Sequence, residues 1–439
     1  MKTKLLNIAK NYPDLTAFLL FVLVAVIAYW QVAFLSYSLK WDMLDCYLPW
    51  RYFVGECWQE GSIPFWNPYQ HFGYPIHADM RSAWNPESFI IGLAGGYTNI
   101  TLHFLSILYL SLAGLGMYKL STELNNNRQI GIITGMAYML SGFFIGHGQD
   151  ISFFISGALV TWVLYYYLRL SKKGDMLNTL KAALAMLLMV FAAYPAYTIF
   201  LNYILPILFF YYLINLIRNK NKKQGWRFIG HNVLLYAIVI CGSLILIFTY
   251  TQIAPFTERF AGIAYQDFIT NPFSPQSLIS WLAPFVTLNN HEIFQSDISM
   301  INGYWGILMM VFSVFAFRKR NPIVIIFLAI SILSLLLSFG PYTPIHPLFY
   351  KFAPGFSLFR MPAIFILFTI IGLLLMASQG LKNIVENFDR ERKNLIRVVG
   401  IFIAVIGIGF IIGLIYFPYQ DTVFFNGPKN IRGFLDKIS

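Results

Sequence analysis

Runs of roughly 20 apolar residues recur along this chain. Each is long enough, at 1.5 Å of rise per residue, to cross about 30 Å of hydrocarbon. Within a bilayer every backbone N–H and C=O must find its partner inside the protein, so spanning segments are helices or strands of a closed barrel. Barrel strands alternate apolar and polar residues over segments of about ten, and the runs here do not alternate. The expected fold class is therefore all-α and polytopic. Eleven candidate spans can be read, near residues 15–36, 99–120, 130–145, 151–168, 182–194, 196–217, 232–253, 303–317, 322–339, 362–380 and 398–417. A composition of 58% hydrophobic and 11% charged residues agrees, since a soluble domain carries about 25% charge.

The charged residues orient these spans. With the N-terminus inside, 22 of the 31 lysines and arginines fall at inside ends, from Lys2, Lys4 and Lys10 through Lys172, Lys173, Lys222 and Lys223 to Arg390, Arg392 and Lys393. The positive-inside rule favours that orientation. The net charge of +12 then belongs to rims that meet anionic lipid, and no nucleic-acid partner is needed to explain it. The first span is too long for a signal-peptide core and no small-x-small cleavage site follows it, so it reads as an anchor that is retained. Residues 1–418 are expected to form the membrane part, and 419–439 an outer tail that resembles the start of a further outer domain.

On this reading the long loops 37–98, 254–302 and 340–361 lie outside, together with five of the seven histidines: His71, His77, His147, His291 and His346. Function is commonly carried by loops on a rigid scaffold, which makes the outer face the working one. The stretch from Trp41 to Glu87 stands out, with six acidic residues and half of the chain's ten tryptophans. As a helix, residues 42–60 place Met43, Tyr47, Trp50, Val54 and Trp58 on one side. Asp42, Asp45, Tyr52, Glu56 and Glu60 lie on the other. Pro49 predicts a kink or a break. This amphipathic helix is expected to lie in the membrane interface with its acids toward water. "GSIPFWNPYQHFGYP" reads as turns and extended chain. One helix over 42–60 would hold Cys46 and Cys57 about 16 Å apart, beyond disulfide reach. A carboxylate at the membrane boundary is costly unless something uses or pairs it, which singles out Asp42, with Asp45 one turn on.

The run "WDMLDCYLPWR" through "GSIPFWNPYQHFGYPIHADMRSAWNPE" resembles the first outer loop of the YfhO family of bacterial membrane proteins. In that family an Asp just after the first span precedes an aromatic-Pro and a Gly-x-x-Pro-x-Trp-Asn-Pro block. "YMLSGFFIGHGQDISFF", "AAYPAYTIFLNY", "FSPQSLISWLAPF", "NGYWGILMM" and "LFRMPAIFILFTIIGLLLMASQGLKNI" resemble further family segments in the same order, so the likeness covers most of residues 15–385. It implies a GT-C-type glycosyltransferase of the bacterial cytoplasmic membrane, using a polyprenyl-phosphate-linked sugar and an outer glycan or lipid acceptor. It places the family's loop Asp on Asp42 and its Phe-Arg-x-Pro on Phe359, Arg360 and Pro362. The chain departs from the expected pattern at Ile364, where a second basic residue would follow.

The chemistry such a reaction needs can be matched to residues. Phosphate leaves an anomeric carbon as a stable anion, so the two-carboxylate arrangement of glycosidases is not required. One carboxylate that takes the acceptor's proton suffices, a role for Asp42 or Asp45. Cations should meet the departing phosphate: Arg81, Lys351 and Arg360 are candidates, as are Arg51 and Arg259, for which a lipid headgroup is an equal alternative. Trp66, Asn67, Tyr69 and His77 are candidates for contacts to the sugar or its carrier, and interface anchoring explains any single ring as well. A divalent metal ion is the one candidate cofactor, from His77–Asp79 and His147–Asp150, at spacings that suit several metals. The rival readings are a transporter or flippase for lipid-linked sugars and a non-catalytic assembly protein. Ion-coupled transporters place ionisable groups near the midplane and show repeated halves; here the charges sit at span ends and no repeat is visible.

The topology is testable. In a cysteine-free background, Ser62→Cys and Ser274→Cys should react with an impermeant maleimide from outside, and Asn221→Cys should not. The reverse pattern would overturn the orientation.

Overall fold

The protein is described by a computed structural model that covers residues 11–70, 72–78, 83–257, 262–288, 291–318 and 321–416. Among these residues the chain is helical and forms no strand; the one ladder contact is an isolated bridge between Asn67 and Tyr74. Six helices are long and apolar enough to cross a membrane: Asn99–Asn125, Arg128–Gly146, Ile151–Lys173, Pro195–Arg218, Lys222–Phe256 and Pro362–Glu386. Four shorter apolar helices, Pro13–Ala28, Met176–Ala192, Ile307–Arg318 and Pro322–Ser338, fall on four more expected spans. The eleventh falls on the helix Phe388–Tyr416. The shorter helices have physical stops. Pro195 begins the next helix and holds Tyr194 in extended backbone (φ −67°, ψ 123°), which ends Met176–Ala192 early. The expected tail 419–439 lies outside the described residues.

The chain divides into two compact units. The first comprises Met1–Leu140, His147–Phe268 and Leu348–Arg360. Its helix ends are capped by side chains, as orphan amides require. Thr98 and Thr101 form a reciprocal capping box, Asn127 accepts from the amides of Gln129 and Ile130, and Asp175 from that of Asn178. Gly174, at φ +58°, closes the helix Ile151–Lys173 in the left-handed conformation that favours glycine.

The second unit comprises Ser141–Gly146, Ile269–Pro347 and Met361–Ser439. Its helix Pro362–Glu386 is buried along almost its whole length. Close packing rests on small residues, as in many membrane helix pairs: a Cβ on Gly372 would collide with Ser331, and one on Gly380 with the Phe312 carbonyl. Asn383 Nδ2 donates to the Phe315 carbonyl at 2.9 Å. Ser274 is fully buried and bonded to Ser277 Oγ at 3.1 Å. A label at position 274 would therefore report burial rather than sidedness, and Ser62, which is exposed, is the informative site.

The described residues of the loop 37–98, expected to lie outside, belong to the first unit. Residues 43–47 form a π-helical turn that leads into the α-helix Leu48–Gln59 with Pro49 in its first turn. The wide turn makes room for a proline that can neither donate nor tolerate the carbonyl four residues back. Met43, Tyr47 and Val54 are buried and Trp50 and Trp58 half-buried, while Asp42, Asp45, Tyr52, Glu56 and Glu60 are exposed. The two faces are those expected. The apolar face, however, packs on protein: Gly55 lies against Gly92 of the helix Pro86–Leu93 and against the Tyr97 ring.

Arg51 departs most from expectation. It is fully buried on this face and forms an ion pair with Glu87, so it meets neither carrier phosphate nor lipid headgroup. Tyr97 Oη donates to Glu87 Oε1 at 2.8 Å, Tyr109 Oη donates to Glu87 Oε2, and the guanidinium lies 5.6 Å from the Tyr97 ring centre. Burial opposes the arginine's charge, but the Glu87 carboxylate, with Tyr97, outweighs it and holds the guanidinium above its usual pKa. Removing one partner of such a pair strands the other charge. Arg51→Ala should destabilise the protein by about 3–5 kcal/mol in a detergent unfolding assay. Adding Glu87→Ala should recover part of that loss. Fully additive losses would contradict the pairing.

Candidate functional site

Two residues singled out in the sequence, His147 and Asp150, lie at the first turn of the helix Ile151–Lys173. Asp150 is its N-cap: Oδ1 accepts from the Ser152 amide at 2.8 Å, the Phe153 amide at 3.4 Å and Ser152 Oγ at 2.6 Å. Ser152 Oγ is in turn 2.9 Å from Tyr47 Oη, which ties the outer-loop helix to this turn across 105 residues of sequence. Phe153 stacks on His147 at 4.5 Å and on Tyr194 at 5.1 Å. The Tyr194 ring meets Phe359 edge-on at 5.7 Å, and the Tyr194 amide donates to Ser156 Oγ at 2.9 Å. This turn thus holds the segment after Asp42 directly, through Tyr47, and the segment that ends at Arg360 by way of Tyr194, which Phe359 meets.

Segment 348–360 is fixed by further contacts within the same unit. Tyr203 Oη donates to the Pro354 carbonyl at 2.6 Å, Tyr350 Oη to the Ile263 carbonyl at 2.7 Å, and the Ile263 amide to the Ser357 carbonyl at 3.0 Å. Phe268 packs on Tyr350 at 4.8 Å and on Phe356 at 5.5 Å. Arg360 and Lys351 are exposed, and Lys351 Nζ lies 5.4 Å from the Phe352 ring centre.

Asp42 and Asp45 are exposed at the start of the outer-loop helix. Asp42 Oδ1 has the Cys46 thiol at 4.0 Å, and the Asp45 amide donates to the Trp41 carbonyl at 2.8 Å. Two neighbours carry strained backbone: Trp41 at φ +50°, just before Asp42, and Met361 at φ +71°, just after Arg360. Non-glycine residues adopt that region at a cost, and such residues cluster at functional sites.

The middle of the loop is a folded strap. Asn67 is buried, and its side chain serves the turn: Oδ1 accepts from the Tyr69 amide at 3.0 Å and Nδ2 donates to Gln70 Oε1 at 3.1 Å. Asn67 therefore shapes the strap, where a contact to substrate had been expected. His77 Nδ1 lies 2.7 Å from the Phe65 carbonyl, and Trp84 Nε1 donates to the His77 carbonyl at 2.7 Å. The Trp66 ring covers Gly73, where φ is +98° and a Cβ would lie 2.6 Å from the ring. Trp66 and Tyr69 are left exposed, Tyr69 at 83%. Arg81, Asp79 and Arg259 lie outside the described residues.

Among the described residues no group of three or more His, Cys, Asp or Glu side chains is arranged to hold a metal ion. Asp150 and His147, expected as candidate ligands, have other work: Asp150 caps a helix, and His147 is buried on the Phe153 ring. No disulfide joins Cys46, Cys57 or Cys241.

Sequence reasoning missed Tyr47, Ser152, Tyr194 and Glu87 as organising residues. Each works through a partner distant in the chain, and no spacing rule reports such a pair. No protein-family model matches the chain, and no curated protein is significantly similar to it.

The capping role has a direct test. Asparagine caps about as well as aspartate, whereas alanine costs about 1 kcal/mol. Asp150→Asn should leave thermal stability nearly unchanged and Asp150→Ala should lower it, with no effect of a chelator on either. A chelator-sensitive wild type together with a destabilised Asp150→Asn would restore the metal-ligand reading.

Proposed function

We propose that this protein is a YfhO-like, GT-C-type glycosyltransferase of the bacterial cytoplasmic membrane, with its N-terminus inside and its working face outside. Its donor is a polyprenyl-phosphate-linked sugar, and its acceptor is an envelope glycan or lipid. One observation carries the reading: two segments far apart in sequence, one starting at a carboxylate and one ending at an arginine, reach the same capped helix turn, the first through Tyr47 and the second by way of Tyr194. Six long apolar helices support the membrane setting.

In this mechanism Asp42 takes the acceptor's proton as its hydroxyl attacks the anomeric carbon. Arg360 meets the carrier phosphate, since a guanidinium presents a planar fork of donors to phosphate oxygens. Lys351 adds a second cation on the same segment. The anomeric carbon–oxygen bond breaks toward phosphate, which leaves as a stable anion. Trp66 and Tyr69 offer exposed ring faces to the sugar or the isoprenoid, a use of aromatic bodies with polar tips. Asp45, one turn from Asp42, orients the site.

Purified protein should release sugar from a synthetic polyprenyl-phosphate donor in the presence of acceptor. Asp42→Asn should slow that transfer by on the order of 10²–10⁴ without loss of expression, and Asp45→Asn should cost much less. Arg360→Lys should weaken donor binding while the fold holds. A fully active variant carrying both Asp42→Asn and Asp45→Asn would remove catalysis from this loop.

A further inference from the structure

At the far end of the helices that carry the candidate site, a second polar site opens. A cavity of about 420 Å³ lies among the C-terminal turns of Asn99–Asn125 and Ile151–Lys173, the start of Pro13–Ala28 and the start of Arg128–Met139. That volume lies within the range of small-molecule sites, about 300–1,000 Å³. Its charged lining is Asp14, Lys119, Glu123, Arg128 and Lys172. Lys119 Nζ pairs with Asp14 Oδ2 at 2.5 Å and Lys172 Nζ with Glu123 Oε1 at 2.9 Å. Both carboxylates are thereby matched. Arg169 donates from Nη1 to Tyr165 Oη at 2.9 Å and stands 4.0 Å from Glu123, two residues that line the cavity. Arg128 is exposed and forms no ion pair among the described residues.

The position of Arg128 is the informative feature. It is the first residue of a 12-residue helix, where the macrodipole already presents positive potential, so a cation there is unfavourable until an anion joins it. The amides of Gln129 and Ile130 are taken by the Asn127 side chain, which leaves the guanidinium to meet the anion. The lining holds three cations, Lys119, Arg128 and Lys172, against two carboxylates, a surplus that one phosphate group offsets. The lysines and the arginine stand at the ends of membrane-spanning helices, at the depth of lipid headgroups.

We infer that this cavity binds a phosphate-bearing headgroup, that of an anionic glycerophospholipid, with Arg128 as the principal contact and Lys119 and Lys172 at its sides. Such a lipid would staple four helix ends opposite the candidate catalytic face.

The test uses the full chain purified in mild detergent and delipidated, then titrated with phosphatidylglycerol and, separately, with inorganic phosphate and glycerol 3-phosphate. Native mass spectrometry and thermal unfolding provide the readouts. The expected result is one retained phosphatidylglycerol and a rise in unfolding temperature, both reduced at least tenfold in apparent affinity by Arg128→Gln. Because Arg128 is exposed and forms no ion pair among the described residues, this variant keeps the fold, and Lys119→Gln provides a second. Equal retention by wild type and both variants would overturn the site. A rise with inorganic phosphate or glycerol 3-phosphate as large as with the lipid would overturn the lipid as its source.

Discussion

Three hydrogen bonds to a single carboxylate oxygen, Asp150 Oδ1, set the first turn of the helix Ile151–Lys173, and the candidate site is assembled on that turn. An uncapped helix start leaves amides without partners, which is costly away from bulk water. The cap satisfies two of them and also fixes the Ser152 hydroxyl. That hydroxyl holds Tyr47, and the next residue, Phe153, presents its ring to His147 and Tyr194. Local helix chemistry thereby becomes long-range architecture. The helix Leu48–Gln59 is held one turn further on, on the same buried face, by Arg51 and Glu87. A buried ion pair is weak evidence for stability, but removing either partner leaves a buried charge uncompensated.

The same helices separate two chemistries by their length. Ile151–Lys173 has 23 residues, about 35 Å at 1.5 Å per residue. Its N-terminal turn meets the segments with Asp42 and Arg360, and its C-terminal turns bring Tyr165 and Lys172 to the basic cavity. Cations at helix C-termini are favourable and carboxylates at N-termini are too. Asp150 and Lys172 obey that rule, whereas Arg128 breaks it.

Much of this was legible in the sequence because it is local. The apolar runs announce helices, Pro49 announces the irregular turn, and the exposed and buried faces of 42–60 follow from helical spacing. The number of full-length spans was less legible. Runs such as 182–194 and 322–339 have the right composition, but Pro195 and the turn after Ser338 leave their helices short. Arg51 was misread for a different reason. Sequence shows an arginine in an acidic outer loop, while its burial depends on Glu87, Tyr97 and Tyr109 meeting it from separate elements. Asp150 was read as a metal candidate because capping and ligation ask for the same side chain, and only the positions of the following amides tell them apart.

We propose that the loop beginning before Asp42 and segment 348–360 together receive the carrier-linked sugar at the turn capped by Asp150. Photocrosslinking with a polyprenyl-phosphate sugar bearing a diazirine near the phosphate tests this most directly, with the labelled peptides mapped by mass spectrometry. The account predicts label in residues 42–60 and 348–361, competed by unlabelled donor and diminished by Arg360→Ala. Competable label confined to other helices, with neither segment modified, would contradict it.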